Sequence, residues 1–223
     1  MKEYALPIAQ SDTQFPVNKI ICIGRNYAEH AREMGHDPER EPPFFFFKPQ
    51  SALAQNGEDF IYPHFSRQVE HEIELVVAIG KSGANISATD AADYVFGFAV
   101  GLDMTCRDLQ KEAKQQGRPW ELAKGFDGSA PCTAIQPGSL NDLEQFGDLV
   151  LTRNGTEIQR GNWSDMVWPI PELIAQVSHY IKLEEGDLIF TGTPAGVGPV
   201  QKGDDLIATL EGFSQTLTLT IAK

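Results

Sequence analysis

The apolar positions of this chain fall into short runs with two distinct periods. In "VEHEIELVVAIG", residues 69–80, Val69, His71, Ile73, Leu75, Val77 and Ile79 share one face of a strand, while Glu70, Glu72 and Glu74 share the other. "FGFAVGLDMT" keeps the period of two, with Phe96, Phe98, Val100 and Leu102 on one side. Its opposite side carries Gly97, Ala99, Gly101 and Asp103, small residues that leave space beside the carboxylate. "NKIICIG" predicts a buried strand ending at Gly24, and "FFFFKP" an aromatic strand buried on both faces. "LVLTRNGTEIQRG" predicts a hairpin turning at Asn154 and Gly155, a pair favoured in type I′ turns.

Helical spacing appears in "CRDLQKEAKQQG", stopped by Gly117, and in "PELIAQVSHYIKL", where Ile170, Ile174, Val177 and Ile181 mark the apolar side. "SATDAADYV" reads as a short capped helix. "RNYAEHAREMG" predicts a helix of about two turns, with Asn26 as N-cap, Glu29 three positions later and Gly35 as its stop. Strands dominate the ends and helices interrupt the middle, so a mixed α+β domain on antiparallel or mixed sheets is expected. Residues 1–18 form a polar leader and 19–223 a single domain, without repeats, low-complexity tracts or linkers.

Composition narrows the partners. A chain of 223 residues that is 41% hydrophobic can bury one substantial core without disulfides. Its net charge of −13 would repel nucleic acid and anionic membranes, and no basic patch offsets it, so neither is an expected partner. An anionic substrate would need a local cation or a few placed Arg and Lys residues. Cys22, Cys106 and Cys132 are widely spaced, with no CxxC pair, which fits a reducing compartment. The N-terminal stretch has no apolar core of signal-peptide length and no run reaches the ~18 apolar residues of a membrane span, so a cytoplasmic protein is expected.

Stacked carboxylates on one strand have two readings, a solvated face or a metal site. Glu72 and Glu74 at i and i+2 can converge on one ion, with Asp103 on a second strand as a third oxygen donor; such a set selects Mg²⁺ or Mn²⁺ before Zn²⁺. "HEIEL" lacks the second histidine of a zinc HExxH motif, and "GVGPVQKG" lacks the ending of a phosphate-binding loop. His30 and Glu33, at i and i+3 on the short helix, form either a surface polar pair or a histidine oriented by a carboxylate for general-base work. His36, His64, His71 and His179 are read as structural.

The ordered series "GRNYAEHAREMG", "PPFFFFKPQSAL", "HEIELVVAIG", "GLDMTCRDLQ", "PWELAKGFDGSAP" and "TGTPAGVGPV" resembles the fumarylacetoacetate hydrolase family, closest to its short acylpyruvase and oxaloacetate decarboxylase members. The likeness runs from about Lys19 to the C-terminus. It implies a mixed β-sandwich or β-roll with short helices, a homodimer, and Mg²⁺ or Mn²⁺ held by Glu72, Glu74 and Asp103. It further implies His30 and Glu33 as catalytic, with Lys124, Arg107 and Gln110 around the substrate oxyanion and Thr193 and Arg25 as further anion contacts. Cys106 stands where the family more often has Ala, which bears on pocket shape. The implied function is metal-dependent cleavage of the C–C bond of 2,4-dioxo acids such as acetylpyruvate or fumarylpyruvate. The alternatives within the family are oxaloacetate decarboxylation and isomerisation of 2-hydroxyhepta-2,4-diene-1,7-dioate-type acids in aromatic catabolism. A different class, a non-catalytic binder of small anions, would show no metal-dependent turnover.

Overall fold

A computed structural model describes residues 4–33 and 42–222, with the side chains of Ala31 and Glu33 outside the description. In chain order the N-terminal part forms β1 (Ala5–Pro7), β2 (Gln14–Pro16), β3 (Ile20–Ile23), α1 (Ala28–Glu33), β4 (Phe45–Lys48) and β5 (Leu53–Gln55). The middle holds β6 (Val69–His71), β7 (Ile73–Ile79), β8 (Val95–Leu102), β9 (Thr105–Cys106), α2 (Arg107–Gln116), α3 (Glu121–Lys124), β10 (Ala130–Cys132) and β11 (Gln136–Pro137). Then come β12 (Asp148–Arg153), β13 (Thr156–Asn162), α4 (Ile170–Tyr180), β14 (Leu188–Phe190), β15 (Gly198–Pro199), β16 (Asp205–Leu210) and β17 (Thr216–Thr220).

The principal sheet runs β4-β3-β14-β7-β8-β10-β5, with β11 also paired to β8. It is mixed, as expected: β14 lies parallel to β3 and β10 to β5, while β7 pairs antiparallel with β8 and β14. A four-stranded antiparallel sheet, β13-β12-β16-β17, covers one face, and a short sheet β15-β6-β9 extends the strand that β7 continues.

Alternation along β7 decides where the core lies. Ile73, Leu75, Val77 and Ile79 join Leu149, Leu151, Ala208 and the α4 residues Leu173, Ile174 and Val177 in the larger cluster. The other face of the same strand begins with Glu72 and Glu74 and then turns apolar at Val76 and Ala78, which pack with Leu6, Phe15, Ile20 and Phe190 in a second cluster. The principal sheet is therefore buried on both sides. Its second face is apolar except at the end that carries the acids. The leader contributes Leu6, Phe15 and Val17 to that second cluster through the β1–β2 hairpin.

Several local expectations are met. Gly117 ends α2 with φ 62°, and Asn154 and Gly155 take φ 51° and 79° in the β12–β13 turn. Others are corrected. The strand of residues 69–80 is two strands that part at Glu72, because β6 pairs with β9 and β15 whereas β7 pairs with β8 and β14. A bulge between Ala78 and Ile79 moves Phe96 to the face opposite Phe98, where it stacks on Phe15 at 5.1 Å. The aromatic run is an edge strand, not a doubly buried one: β4 has a single neighbour, β3, and leaves Phe47 42% exposed. The short helix read in residues 87–95 is a 3₁₀ helix of residues 91–94, without a side-chain cap at Asp90. The Gly35 helix stop and His36 lie outside the described residues.

The small-residue face of β8 holds no vacant space. A Cβ at Gly101 would come within 2.7 Å of the Phe190 ring and 2.8 Å of Val76, so the room left by glycine is filled by packing from β14 and β7. We expect Gly101→Val to overpack this layer and lower stability by about 1–3 kcal/mol, read from chemical denaturation. Unchanged stability would contradict the packing described.

Candidate metal and anion site

The register of β7 and β8 builds the acid cluster. Glu74 stands opposite Gly101 and Ile73 opposite Leu102, and the Asp103 N–H donates to the Glu72 carbonyl at 2.9 Å, which carries the ladder one step past β8. Glu72, Glu74 and Asp103 therefore emerge on one face. One carboxylate oxygen from each lies within 4.8 Å of the other two, and all three residues are buried. The solvated-face reading is thereby excluded, since carboxylates removed from water need cations or donors around them.

Those cations arrive from three elements. Arg107, the first residue of α2, places Nε 2.6 Å from Glu70 and a terminal nitrogen 2.5 Å from Glu72, so its single positive charge bridges two of the stacked glutamates. Another of its nitrogens donates to Gln110 Oε1 at 2.6 Å. Lys124, at the end of α3, bridges Glu72 Oε2 at 2.8 Å and Asp103 Oδ2 at 2.6 Å. Lys48 of β4 donates to Ser129 Oγ and to the Lys124 carbonyl, and its Nζ stands 2.8 Å from Asp103 Oδ1. That last contact is one of charge without hydrogen-bonding angles, so Oδ1 has no hydrogen-bond partner among the described residues.

Glu74 is held differently. Its Oε2 accepts the Gly192 N–H at 2.8 Å and it has no ion pair among the described residues. Burial, then the charges of Asp103 and Glu72, push its pKa well above the ordinary glutamate value. Glu72 titrates in the opposite sense: burial would raise it, but Lys124 and Arg107 prevail and hold it well below that value. Gly192 takes φ +98°, and a Cβ there would meet the Asn26 Cβ at 2.8 Å. Asn26 is not an N-cap. Its side chain donates to the carbonyls of Thr191 and Trp168 and accepts from the Trp168 N–H, pinning the 191–193 loop beneath α1.

The donor set fits a hard divalent cation. It is all oxygen and buried, with one carboxylate that lacks an ion-pair partner. Two buried polar atoms have no hydrogen-bond partner among the described residues: Asp103 Oδ1, within the set, and the Tyr27 hydroxyl, whose pKa is raised by burial and then by Glu74. Glu72, Glu74 and Asp103 are the residues that would hold the ion.

A cleft opens over this cluster. Of the residues singled out from the sequence, Arg25, His30, Glu72, Asp103, Arg107, Gln110 and Lys124 all line it. Glu74 lies behind the lining, and the Glu33 side chain lies outside the described part of the molecule. Thr193 is buried away from the lining and accepts from Gln159 Nε2 at 2.9 Å. Gln159 also holds His71, whose Nδ1 is 2.8 Å from its Oε1; His71 is thus structural, with a pKa lowered mainly by burial. Cys106, the last residue of β9, is buried and absent from the cleft wall, so its identity does not shape the pocket directly. The sequence reading missed Lys48, Asn26, Lys114 and Trp120. Lys48 was hidden in an aromatic run, and Asn26 resembles a helix cap.

Residues 19–220 match the family described as fumarylacetoacetate (FAA) hydrolase, C-terminal. The chain belongs to this family. It is 45% identical over 204 residues to the mitochondrial oxaloacetate tautomerase of Homo sapiens, covering 92% of this chain and 91% of that protein. Among solved structures it is similar to a fumarylpyruvate hydrolase from Pseudomonas aeruginosa in complex with Mn²⁺ and pyruvate, with TM-score 0.94 and 42% identity across 100% of this chain and 97% of that one. A 5-carboxymethyl-2-hydroxymuconate delta-isomerase from Mycobacterium smegmatis aligns at TM-score 0.80 and 33% identity, over 99% of this chain and 82% of that one. The family thus comprises enzymes of hydrolytic and isomerising chemistry on this one fold, and the expectation of a sheet-dominated fold with short helices holds. Among the described residues no helix is long and apolar enough to cross a membrane.

The opposite shifts of Glu72 and Glu74 make a signed expectation for the metal-free protein. Glu74 gains a proton on folding, so its contribution is favourable at low pH and is lost as pH rises above the ordinary glutamate value of 4.5. Glu72 contributes above that value and loses its contribution as pH falls. In EDTA, Glu74→Gln should therefore raise Tm at pH 8 relative to wild type, with a smaller gain at pH 5. A variant equally destabilised at both pH values would contradict this electrostatic account.

Proposed function

We propose that this chain is a Mg²⁺- or Mn²⁺-dependent hydrolase that cleaves the C–C bond of acylpyruvate-type 2,4-dioxo acids, giving pyruvate and a carboxylic acid. The observation that carries this reading is the buried triad Glu72, Glu74 and Asp103 beneath a cleft that also presents His30, Arg107, Gln110 and Lys124. When bound, the divalent ion would supply a Lewis acid for the 2-keto carboxylate end of the substrate and for the enolate charge that develops there.

The protein's own groups account for the remaining steps. His30, buried on α1 at the cleft wall, is the general base, with Glu33 as the carboxylate that orients its ring. It removes a proton from water as the oxygen attacks the C4 carbonyl. The C3–C4 bond then breaks, its electron pair passes to C3 as pyruvate enolate, and the proton on His30 returns to C3. Lys124 and Arg107 are fixed before reaction by Glu72, Asp103 and Glu70, so they can stabilise developing negative charge without rearrangement. Gln110 and Arg25 orient the anion in this reading. Thr193 is kept as a substrate-carboxylate contact on family likeness alone; it is buried and accepts from Gln159 Nε2.

The 45% identity to an oxaloacetate tautomerase favours a second reading, in which the same site acts on oxaloacetate by tautomerisation or decarboxylation. Decarboxylation leaves the same pyruvate enolate and needs no attacking water. Isomerisation of 2-hydroxyhepta-2,4-diene-1,7-dioate-type acids is a third reading, and the mycobacterial delta-isomerase of 5-carboxymethyl-2-hydroxymuconate shows isomerising chemistry on this fold. A homodimer and a cytoplasmic setting complete the proposal; the first rests on family likeness and the second on composition.

Acetylpyruvate, fumarylpyruvate and oxaloacetate should be assayed with Mg²⁺, with Mn²⁺ and with EDTA. Metal-dependent acylpyruvate cleavage is expected, and His30→Ala should reduce it by at least ~100-fold while metal-dependent oxaloacetate decarboxylation persists in part. Equal loss of both activities would contradict the role given to His30. Absence of metal-dependent turnover on every substrate would favour an anion binder.

A further inference from the structure

One face of α2 carries a ladder of anion-binding side chains that extends beyond the acid cluster. Arg107, Gln110 and Lys114 are spaced i, i+3 and i+7, hence on the same side of the helix, and all three line the cleft. Arg107 and Gln110 are tied to the cluster by the contacts already described. Lys114 lies about 10 Å further along the helix axis, at the exposed rim. It makes no ion pair among the described residues. Its Nζ instead sits 4.9 Å from the centroid of the Trp120 ring, which is packed in turn against Phe44 and Phe46 at 5.6 and 6.0 Å. The aromatic wall thus holds an ammonium at the cleft mouth without neutralising it.

We propose that Lys114 is a specificity-determining residue, which binds the distal carboxylate of acylpyruvates whose acyl arm itself ends in a carboxylate. This inference rests on the hydrolase reading above and names its substrate class. The length of the ligand is what selects. In a seven-carbon 2,4-dioxo diacid of the fumarylpyruvate type, six bonds separate the carboxyl carbons, roughly 7 Å when extended; in oxaloacetate, three bonds give roughly 4 Å. With its keto-acid end at the triad, the longer diacid would carry its second carboxylate roughly 3 Å further toward Lys114 than oxaloacetate would. Acetylpyruvate has no second carboxylate to offer. The surroundings favour an incoming anion: partial burial, then the cations Arg107, Arg25 and Lys124, lower the Lys114 pKa, so the cleft mouth is locally electropositive on a chain of net charge −13.

The test compares wild type, Lys114→Met and Lys114→Arg, with Mg²⁺, on fumarylpyruvate and acetylpyruvate. The ratio of kcat/KM for the diacid over the monoacid should fall at least about fivefold in Lys114→Met, mainly through KM for the diacid, and be restored in large part by Lys114→Arg. A ratio that stays within about twofold of wild type, or a parallel fall on both substrates, would overturn the assignment. A second arm is independent of turnover: calorimetric binding of 2-oxopimelate, which has the seven carbons of the fumarylpyruvate-type diacid, and of 2-oxoheptanoate, a monoacid of equal length, to the Mn²⁺-loaded protein. Wild type should prefer the diacid and Lys114→Met should lose that preference; absence of the preference in wild type would also overturn the proposal. If neither acylpyruvate is cleaved, the hydrolase reading fails, and this arm alone decides whether Lys114 binds a distal carboxylate.

Discussion

The constraint on which this molecule turns is electrostatic crowding inside a sheet. Glu70, Glu72, Glu74 and Asp103 are buried together at the one polar end of an otherwise apolar face, where unscreened carboxylates would repel strongly. Three buried or nearly buried cations, Arg107, Lys124 and Lys48, enter from α2, α3 and β4 to offset them. Four acids against three bases leaves an excess of negative charge, and it falls on Glu74, whose pKa is driven upward. A proton can settle that excess at low pH. A divalent cation at the triad would settle it at neutral pH and would at the same time create a place for an anionic substrate.

The rest of the architecture follows from holding this arrangement in register. The β7–β8 pairing sets Asp103 beside Glu72, and the break between β6 and β7 at Glu72 lets one acid row serve two sheets. Asn26 and Gly192 fasten the 191–193 loop against Glu74 from the other side. Because the principal sheet is covered on both faces, the cluster cannot relax into solvent. Among the described residues the cleft lies directly over the cluster, and its wall carries the basic residues Arg25, Arg107, Lys114 and Lys124 on an acidic chain.

Much of this was legible in the sequence because it is periodic or local. Alternation in residues 69–79 placed Glu72 and Glu74 on one face, and the same period in 96–103 put Asp103 at the end of a second strand. The Asn154–Gly155 turn and the Gly117 stop are fixed by backbone conformations that few other residues adopt. What escaped depends on contacts distant in the chain. The bulge that turns Phe96 over arises from the register of β7 against β8, and the exposure of Phe47 from the edge position of β4. Asn26 was misread as a cap because its partners, Thr191 and Trp168, are more than 140 residues away. Lys48 reaches Asp103 across strands, so no spacing along the sequence marks it. The small residues of β8 signalled space beside Asp103, whereas the Phe190 ring fills it at Gly101 and the Gln136–Pro137 backbone at Gly97.

Whether the acid triad holds a divalent ion is the claim on which the chemistry stands, and anomalous diffraction at the manganese edge tests it most directly. Crystals grown with Mn²⁺ and oxalate should show one strong anomalous peak bounded by oxygens of Glu72, Glu74 and Asp103, with the oxalate completing its coordination toward the cleft. A map without manganese at the triad, in crystals where the metal and oxalate are in excess, would contradict the account.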